Sequence, residues 1–296
     1  MDQLRSIVVG IDFSAACATA LKQAVRMAAW NRASLHAVHV VDTLVVLEME
    51  EGLSPLVQGI QDALVDEAMK RWQAFVPDLP GKDKIDFSVA VNNQKAELIR
   101  RVKDRKADLL VLGTHGDWQE GGVGPLAAHC VHAAPSPVLL VRPPQTGAFG
   151  HVVACIDFSP TSRIALAAAT RIVAQDGGKL SVLHVFRPPW TRFRPIAGTG
   201  DPEFQKSFIA TLRTRVQAFC EPESPETEWV KPEYFIVPDS SHGAGIIKFV
   251  REAKADLVVM GTKGRSNLRE AIMGSTAERI VRNAPCSILA VKPPEP

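Results

Sequence analysis

The sequence lacks the patterns that mark secreted, membrane-spanning and disulfide-stabilised proteins. Its five cysteines are odd in number and form no CxxC pair, which predicts reduced thiols in the core rather than a disulfide framework. No apolar run reaches the roughly 18 residues that a transmembrane helix needs, and no apolar signal segment precedes the first strand pattern. From these absences we expect a cytoplasmic protein with no membrane partner.

The sequence also lacks the common catalytic and nucleic-acid-binding signatures. Neither a G-x4-G-K-S/T phosphate loop nor a G-x-S-x-G nucleophile turn is present, and no residue can be nominated as a catalytic base. Lys and Arg total 34 against 32 Asp and Glu, a net charge of +2. A nucleic-acid binder would carry a concentrated basic surface, so we expect no nucleic-acid partner.

What the sequence does contain is an internal repeat. The segment ADLLVLGTHG at 107–116 corresponds to ADLVVMGTKG at 255–264, and the tetrapeptide IDFS at 11–14 recurs at 156–159. A stretch rich in Pro and Gly, residues 142–150, separates the two halves and is typical of a linker. The repeat predicts two homologous domains, residues 1–144 and 150–296, each of ordinary domain size.

Each half alternates short apolar runs with helical patterns. Strands are predicted at 6–10, 35–41, 85–91, 108–113 and 138–142 and again at 151–156, 179–186, 230–237, 256–261 and 286–291, with helices in the first half at 15–31, 55–75, 94–104 and 124–134. Continuously apolar strands that alternate with helices are typical of a parallel sheet covered on both faces. The predicted fold class is α/β, with two tandem domains of five parallel strands each.

A glycine-rich loop follows the fourth strand of the second half. Gly261, Gly264, Gly274 and Ser275 form the pattern G-x2-G-x9-G-S, in which backbone N–H groups and a helix N-terminus can bind phosphate oxygens. Asp157 ends the first strand of the same half. If the first and fourth strands are neighbours where the strand order reverses, the acid and the loop face one crevice, and a mononucleotide would fit there.

Together these motifs resemble the universal stress protein family, over nearly the whole chain. The resemblance implies Rossmann-like domains with strand order 3-2-1-4-5, and ATP binding in the branch that keeps the glycine motif. It implies that Asp157 contacts the adenosine, with the backbone around Cys155 and Val185 flanking the base. The phosphate path would be lined by Met260, Gly261, Gly264, Gly274, Ser275 and Thr276, with positive charge from Lys263, Arg265 and Arg269. We expect Mg²⁺ to accompany the phosphates.

The first half departs from this pattern although it keeps Asp12, Val40, Gly113 and Gly116. Only seven residues separate Gly116 from Gly124, and Pro125 stands where the second half has Ser275. Proline has neither a backbone N–H nor a hydroxyl to offer a phosphate, and the intervening loop contains Asp117 and Glu120. The sequence therefore predicts one competent ATP site per chain, in the second half.

Three other features have functional and plain structural interpretations. His129, Cys130 and His132, with His115, could bind zinc, or they are ordinary polar residues of a half-exposed helix. His39 and His184 are interpreted as hydrogen-bonded core residues. Segments 42–56 and 187–202 are predicted as variable surface loops at the crevice mouth, where Arg192 and Arg194 could reach phosphates or an acidic partner.

The fifth strand of each half is a sheet edge, and unpaired edges pair with other strands. The resemblance implies that residues 138–141 and 288–291 pair the two domains within one chain, and a homodimer is a further hypothesis. The favoured function is an ATP-dependent stress or regulatory factor with unidentified protein partners. The alternatives are a nucleotide-free scaffold that works through protein contacts and, ranked last, an ATP-hydrolysing or nucleotidyl-transfer enzyme.

Overall fold

A computed structural model describes residues 3–53, 59–76, 79, 81–114, 123–192, 201–221, 230–264 and 273–293 of the chain. The chain divides into two compact units, residues 2–147 and 148–296. Within the described residues, no helix is both long enough and apolar enough to cross a membrane.

The N-terminal unit contains a five-stranded sheet in its described residues. Its strands are β1 (Ser6–Ile11), β2 (Ser34–Asp42), β3 (Ile85–Asn92), β4 (Leu109–Gly113) and β5 (Val138–Val141), and its helices are α1 (Ala15–Asn31), α2 (Thr43–Leu53), α3 (Ile60–Phe75), α4 (Gln94–Asp104) and α5 (Pro125–Ala133), with a 3-10 turn at Lys82–Lys84. The strand order is β3-β2-β1-β4-β5, and every neighbouring pair is parallel.

The C-terminal unit repeats this arrangement. Its strands are β6 (His151–Cys155), β7 (Lys179–Phe186), β8 (Glu233–Pro238), β9 (Leu257–Gly261) and β10 (Ser287–Val291), and its helices are α6 (Pro160–Asp176), α7 (Pro189–Arg192), α8 (Pro202–Cys220), α9 (His242–Glu252) and α10 (Ser275–Asn283). The strand order is β8-β7-β6-β9-β10, again with parallel neighbours. The predicted α/β class and the order 3-2-1-4-5 are confirmed in both units.

Both faces of each sheet are covered. Successive residues of a strand point to opposite faces, yet every residue of β5 and of β10 is buried. Helix α1 packs against β1 and β4, and α6 packs against β6 and β9. Four of the five cysteines are buried and all five are free thiols, as the sequence predicted.

Serine side chains fix the start of the first helix in each unit. The hydroxyl of Ser14 accepts a hydrogen bond from the N–H of Cys17, and that of Ser159 accepts one from Ser162, both at 3.1 Å. These caps satisfy N–H groups that the first helical turn leaves without partners. They also fix the position of Asp12 and Asp157, which lie two residues earlier in the chain.

Two predicted boundaries in the N-terminal unit were wrong. Residues 43–53, predicted as part of a variable loop, form helix α2 because Leu, Glu and Met favour helix and Val46 is buried against the unit. The helix predicted from residue 55 begins at Ile60, after Gly59, whose φ of 74° is incompatible with a right-handed helix. In the segment 187–202, residues 189–192 form the short helix α7, and residues 193–200, including Arg194, lie outside the described residues.

Candidate functional site

The Asp157 carboxylate is held in one orientation at the carboxyl end of β6. Its Oδ1 accepts hydrogen bonds from the backbone N–H of Ser159 at 3.0 Å and from the Ser159 hydroxyl at 2.5 Å. Its Oδ2 lies beside Gly264, on the loop that follows β9. Strands β6 and β9 are parallel neighbours, so the acid and the glycine loop meet at the reversal of strand order, as the sequence predicted.

Phe158 supports this turn with an unusual backbone. Its φ is +65°, a left-handed conformation that side chains with a β-carbon adopt rarely. The ring packs 4.8 Å from the ring of His184 and 5.6 Å from that of Phe219, centroid to centroid, and the guanidinium carbon of Arg215 lies 4.3 Å above it. These contacts hold the turn in place against its backbone strain.

His184 is a hydrogen-bonded residue of the site wall. Its Nδ1 lies 2.8 Å from the carbonyl oxygen of Ile156, and a carbonyl can only accept, so Nδ1 carries the proton. Burial is the main cause that lowers the pKa of His184 below its usual value. The interpretation of His184 as a hydrogen-bonded residue is confirmed.

The glycine loop is closed at its base by backbone hydrogen bonds. Thr262 donates its N–H and its hydroxyl to the carbonyl of Val291, at 2.9 and 3.1 Å. Gly274 in turn donates its N–H to the carbonyl of Thr262 at 2.9 Å. Helix α10 begins at the next residue, with no side chain capping it, so its first N–H groups can bind an anion.

A cavity of about 420 Å³ lies at this end of the sheet. Nine of the ten predicted site residues line it, namely Cys155, Asp157, Val185, Met260, Gly261, Gly264, Gly274, Ser275 and Thr276. The tenth, Arg265, lies outside the described residues, as does Arg269. The structure thus brings together residues that are up to 121 positions apart in the sequence, from Cys155 to Thr276.

The cavity is also lined by residues of α8 and α9 that were not predicted from the sequence as site residues. Arg215 and Leu212 come from α8, and His242 and Ile246 come from α9. Among the described lining residues Asp157 is the one carboxylate, whereas Arg215 and Lys263 are cations. Burial, followed by the charge of Arg187, lowers the pKa of His242. A ligand with negative charge suits this balance.

The N-terminal unit preserves the turn but has a smaller cavity. Phe13 has a φ of +63°, its ring lies 4.7 Å from that of His39, and Arg71 lies 4.5 Å above it. His39 is hydrogen bonded to the Ile11 carbonyl at 2.8 Å, in agreement with its interpretation. The cavity beside Asp12 has a volume of about 260 Å³.

Pro125 lines that smaller cavity at the start of α5. It is the first residue of the helix, the position where proline costs the fold least and where Ser275 begins α10. Gly124 donates its N–H to the Thr114 carbonyl at 2.7 Å, as Gly274 does to Thr262. Residues 115–122, which include Gly116, Asp117 and Glu120, lie outside the described residues.

The zinc interpretation has no support in the part of the chain that the structure describes. No group of three or more His, Cys, Asp or Glu side chains that could hold a metal ion occurs among those residues. Cys130 is buried, and burial lowers the pKa of His129. His115 falls in the part of the chain that is not described.

The two units each carry the fold and the Asp-Phe-Ser turn, and comparison with known proteins explains why. The model of the universal stress protein family matches residues 3–142 and again residues 148–292. The chain belongs to the universal stress protein family. A universal stress protein of Mycolicibacterium smegmatis is 26% identical over 300 residues, which cover 97% of each chain. Universal stress protein E of Photorhabdus laumondii is 24% identical over 311 residues, 99% of this chain and 96% of the relative.

Solved structures agree on the fold of the family. A universal stress protein from Archaeoglobus fulgidus superposes with a TM-score of 0.64 over 98% of both chains at 16% identity. At this identity the likeness shows the fold alone. Another universal stress protein, solved in complex with cAMP, is 23% identical and superposes on 47% of this chain with a TM-score of 0.33.

Proposed function

We propose that the C-terminal unit binds one ATP molecule and that the chain acts as a nucleotide-dependent stress or regulatory factor. The observation that carries the proposal is the single cavity lined by nine of the ten residues expected at such a site. Its volume of about 420 Å³ lies within the roughly 300–1,000 Å³ that is usual for small-molecule sites.

The end of the cavity at β6 and β7 fits a nucleoside. Oδ1 of Asp157 is engaged by Ser159, which leaves Oδ2 to accept a hydrogen bond from a ribose hydroxyl. The apolar side chains of Val185 and Ile246 line the same cavity and offer a surface for a base. A half-buried carboxylate, one oxygen of which accepts no hydrogen bond from the described residues, favours a ligand that donates hydrogen bonds.

The end of the cavity at β9 and α10 fits phosphates. The first N–H groups of α10 have no side-chain cap and carry the positive end of the helix dipole. Ser275 and Thr276 add hydroxyl donors, and Lys263 adds a positive charge. Mg²⁺ would be held chiefly by the phosphates and water, since the metal needs few protein ligands in such sites.

The described residues of the N-terminal unit offer a smaller cavity and no hydroxyl at the first two positions of α5, so we propose one competent site per chain. Its cavity of about 260 Å³ is below the usual size of a ligand site. Pro125 begins α5 and therefore offers no N–H or hydroxyl where Ser275 offers both.

Nucleotide analysis of the natively purified protein tests the proposal. We expect mass spectrometry to detect about one ATP per chain, and calorimetry of the nucleotide-free protein to show saturable ATP binding in the presence of Mg²⁺. Replacing Gly274→Val and Ser275→Ala together should abolish binding. Gly124→Val, the matched change in the N-terminal unit, should leave it unchanged.

Two results would overturn the proposal. One is an equal loss of ATP binding in both variants, which would mean that the sites are not distinct. The other is that the wild-type protein binds no ATP up to low millimolar concentrations. Circular dichroism checks that the wild type and both variants are folded. The second result would favour the nucleotide-free scaffold.

A further inference from the structure

Helices α2 and α3 carry four of the six large apolar side chains that are exposed in the described part of the chain. Three of them, Leu44, Val45 and Leu47, are on α2, and Met69 is on α3. The two helices pack against each other, so the exposed apolar side chains lie on neighbouring helices of one unit. Exposed apolar surface that is concentrated in this way is typical of an interaction site.

The outer face of α2 combines apolar and acidic side chains. Leu44, Leu47, Glu48 and Glu51 are spaced at i, i+3, i+4 and i+7, so they lie along one face of the helix, and all four are exposed. Val46 is buried and holds the helix against the unit. The exposed face of α2 therefore presents two leucines followed by two carboxylates.

The same two helices are strongly acidic. They contain six carboxylates against two cations, Lys70 and Arg71, and no charged residue occurs between them in the sequence. The guanidinium carbon of Arg71 lies 4.5 Å from the centre of the Phe13 ring. All six carboxylates are exposed, and none is hydrogen bonded or ion-paired to a residue that the structure describes; they are Glu48, Glu50, Glu51, Asp62, Asp66 and Glu67.

The corresponding helix of the C-terminal unit does not carry this charge. Arg71 and Arg215 each lie over the phenylalanine of the Asp-Phe-Ser turn in their unit, so α3 aligns with α8. In this alignment the three carboxylates of α3 correspond to Lys206, Ala210 and Thr211. The fold forms without these carboxylates in the second unit, so the acidity of α3 is a property of the first unit alone.

We propose that the exposed face of α2 and α3 binds a basic amphipathic helix of a partner protein. Apolar side chains along one side of the partner helix would cover Leu44 and Leu47, and flanking lysines or arginines would pair with Glu48 and Glu51.

The combination of apolar and acidic side chains selects this partner. An apolar helix without positive charge would gain nothing from the six carboxylates, and an acidic helix would be repelled by them. A cationic segment without apolar side chains would leave the leucines in water. The site is independent of the proposed ATP site, which lies in the other unit.

Two synthetic peptides of about 14 residues test this face on the full-length protein. One has the sequence LKKLLKLLKKLLKL, which places its leucines along one side of a helix. The other has the same composition in a scrambled order with no apolar helical face. In fluorescence anisotropy with labelled peptides, we expect the amphipathic peptide to bind at one site per chain with a Kd of about 10 μM. We expect the scrambled peptide to bind about tenfold more weakly.

Two surface variants locate the site. Leu44→Gln with Leu47→Gln removes the exposed leucines, and Glu48→Gln with Glu51→Gln removes two charges. Both should fold, because the four side chains are exposed and glutamine favours helix about as well as leucine and glutamate do. We expect each variant to bind the amphipathic peptide about tenfold more weakly, the first through lost apolar burial and the second through lost charge pairing.

The matched control is Asp83→Asn with Asp104→Asn. It removes the same charge from exposed positions of the N-terminal unit outside α2 and α3, and it should bind the amphipathic peptide as the wild type does. Circular dichroism checks that all three variants are folded.

Contrary results would overturn separate parts of the proposal. Equal affinity for the two peptides would contradict recognition of an amphipathic helix. An affinity of the leucine variant that equals that of the control would exclude the apolar contact, and the same result for the glutamate variant would exclude the charge match. Sedimentation would identify a second copy as the occupant, and so refute a partner helix, if the wild type dimerised and the leucine variant did not.

Discussion

Asp157 and Gly264 lie so close together that a β-carbon at position 264 would be 2.6 Å from Oδ2 of Asp157. The other carboxylate oxygen is held by the N–H and hydroxyl of Ser159, so the carboxylate cannot simply rotate away. The acid at the end of β6 and the loop after β9 therefore constrain each other directly. Glycine at position 264 is needed for the position of the acid as well as for any approach of phosphate.

Gly264→Ala should consequently weaken the proposed ATP binding more than it destabilises the fold. We expect a loss of affinity of about tenfold or more, which corresponds to about 1.4 kcal/mol, since the new methyl group displaces Asp157. The stability cost should stay near 1 kcal/mol because a side-chain end, not backbone, is displaced. Calorimetry and urea unfolding measure the two effects.

The matched control is Gly147→Ala, where a β-carbon would meet no atom within 4 Å. It should change neither affinity nor stability beyond about 0.5 kcal/mol. Wild-type affinity in Gly264→Ala would mean that Asp157 does not contact the ligand.

Arg215 gives a second test, because the repeat supplies its control. Arg215 lines the cavity beside Asp157, and its guanidinium carbon lies 4.3 Å from the centre of the Phe158 ring. Arg71 lies 4.5 Å above Phe13 but does not line the smaller cavity. We expect Arg215→Ala to weaken ATP binding about tenfold through loss of a nearby cation, and Arg71→Ala to leave it unchanged. Calorimetry with both variants decides the matter, and equal affinities would remove Arg215 from the site.

Arg215 also shows where sequence reasoning stops. Asp157 and the glycine loop were predictable because apolar runs mark the strands and the ends of parallel strands meet at one edge. Arg215 lies on a helix that diverges between the halves, and no motif surrounds it. A signal did exist, since Arg71 and Phe75 recur as Arg215 and Phe219 at a constant offset of 144 residues.

Helix α2 was missed for a different reason. The segment that contains it differs between the two halves, and a difference between repeats was interpreted as a loop. A segment that differs between two repeats is one that their common fold does not require, but it can still form a helix or a strand of its own. The run from Leu44 to Met49 consists of residues that mostly favour helix, and the buried Val46 anchors it. Local propensity was the better guide here.

Gly113 is kept in the unit whose phosphate loop is altered, and packing gives the reason. A β-carbon at this position would lie 2.9 Å from the backbone carbonyl carbon of Ala16 and 3.0 Å from the N of Cys17. Helix backbone cannot yield as a side chain can, so Gly113→Ala should destabilise the N-terminal unit by about 1–3 kcal/mol. Hydrogen exchange of peptides from each unit measures this, with protection in the C-terminal unit as the internal control. Unchanged protection near α1 would contradict the packing explanation.

Glu97 makes the stability of the N-terminal unit depend on pH in the acid range. Its carboxylate is buried in α4 and accepts hydrogen bonds from Arg100 at 2.5 and 2.9 Å and from Arg101 at 2.7 Å. The hydrogen bonds from Arg100 are the main cause that lowers the pKa of Glu97 from 4.5 to about 2, and burial opposes them. The folded state therefore binds the proton less readily than the unfolded state, and the stabilisation is complete above pH 4.5 and lost as the pH falls to about 2.

Glu97→Gln should destabilise the protein at pH 7 by about 2 kcal/mol, less than the full pKa shift implies because Arg100 is partly exposed to solvent. The difference in the free energy of unfolding between the variant and the wild type should shrink as the pH falls below 4.5 and vanish near pH 2. Urea unfolding at a series of pH values measures it. Glu203→Gln is the control, because Glu203 and its partner Lys206 are 76% and 73% exposed and such pairs contribute little. A difference between Glu97→Gln and the wild type that stayed constant from pH 7 to pH 3 would show that the carboxylate charge is not what stabilises α4.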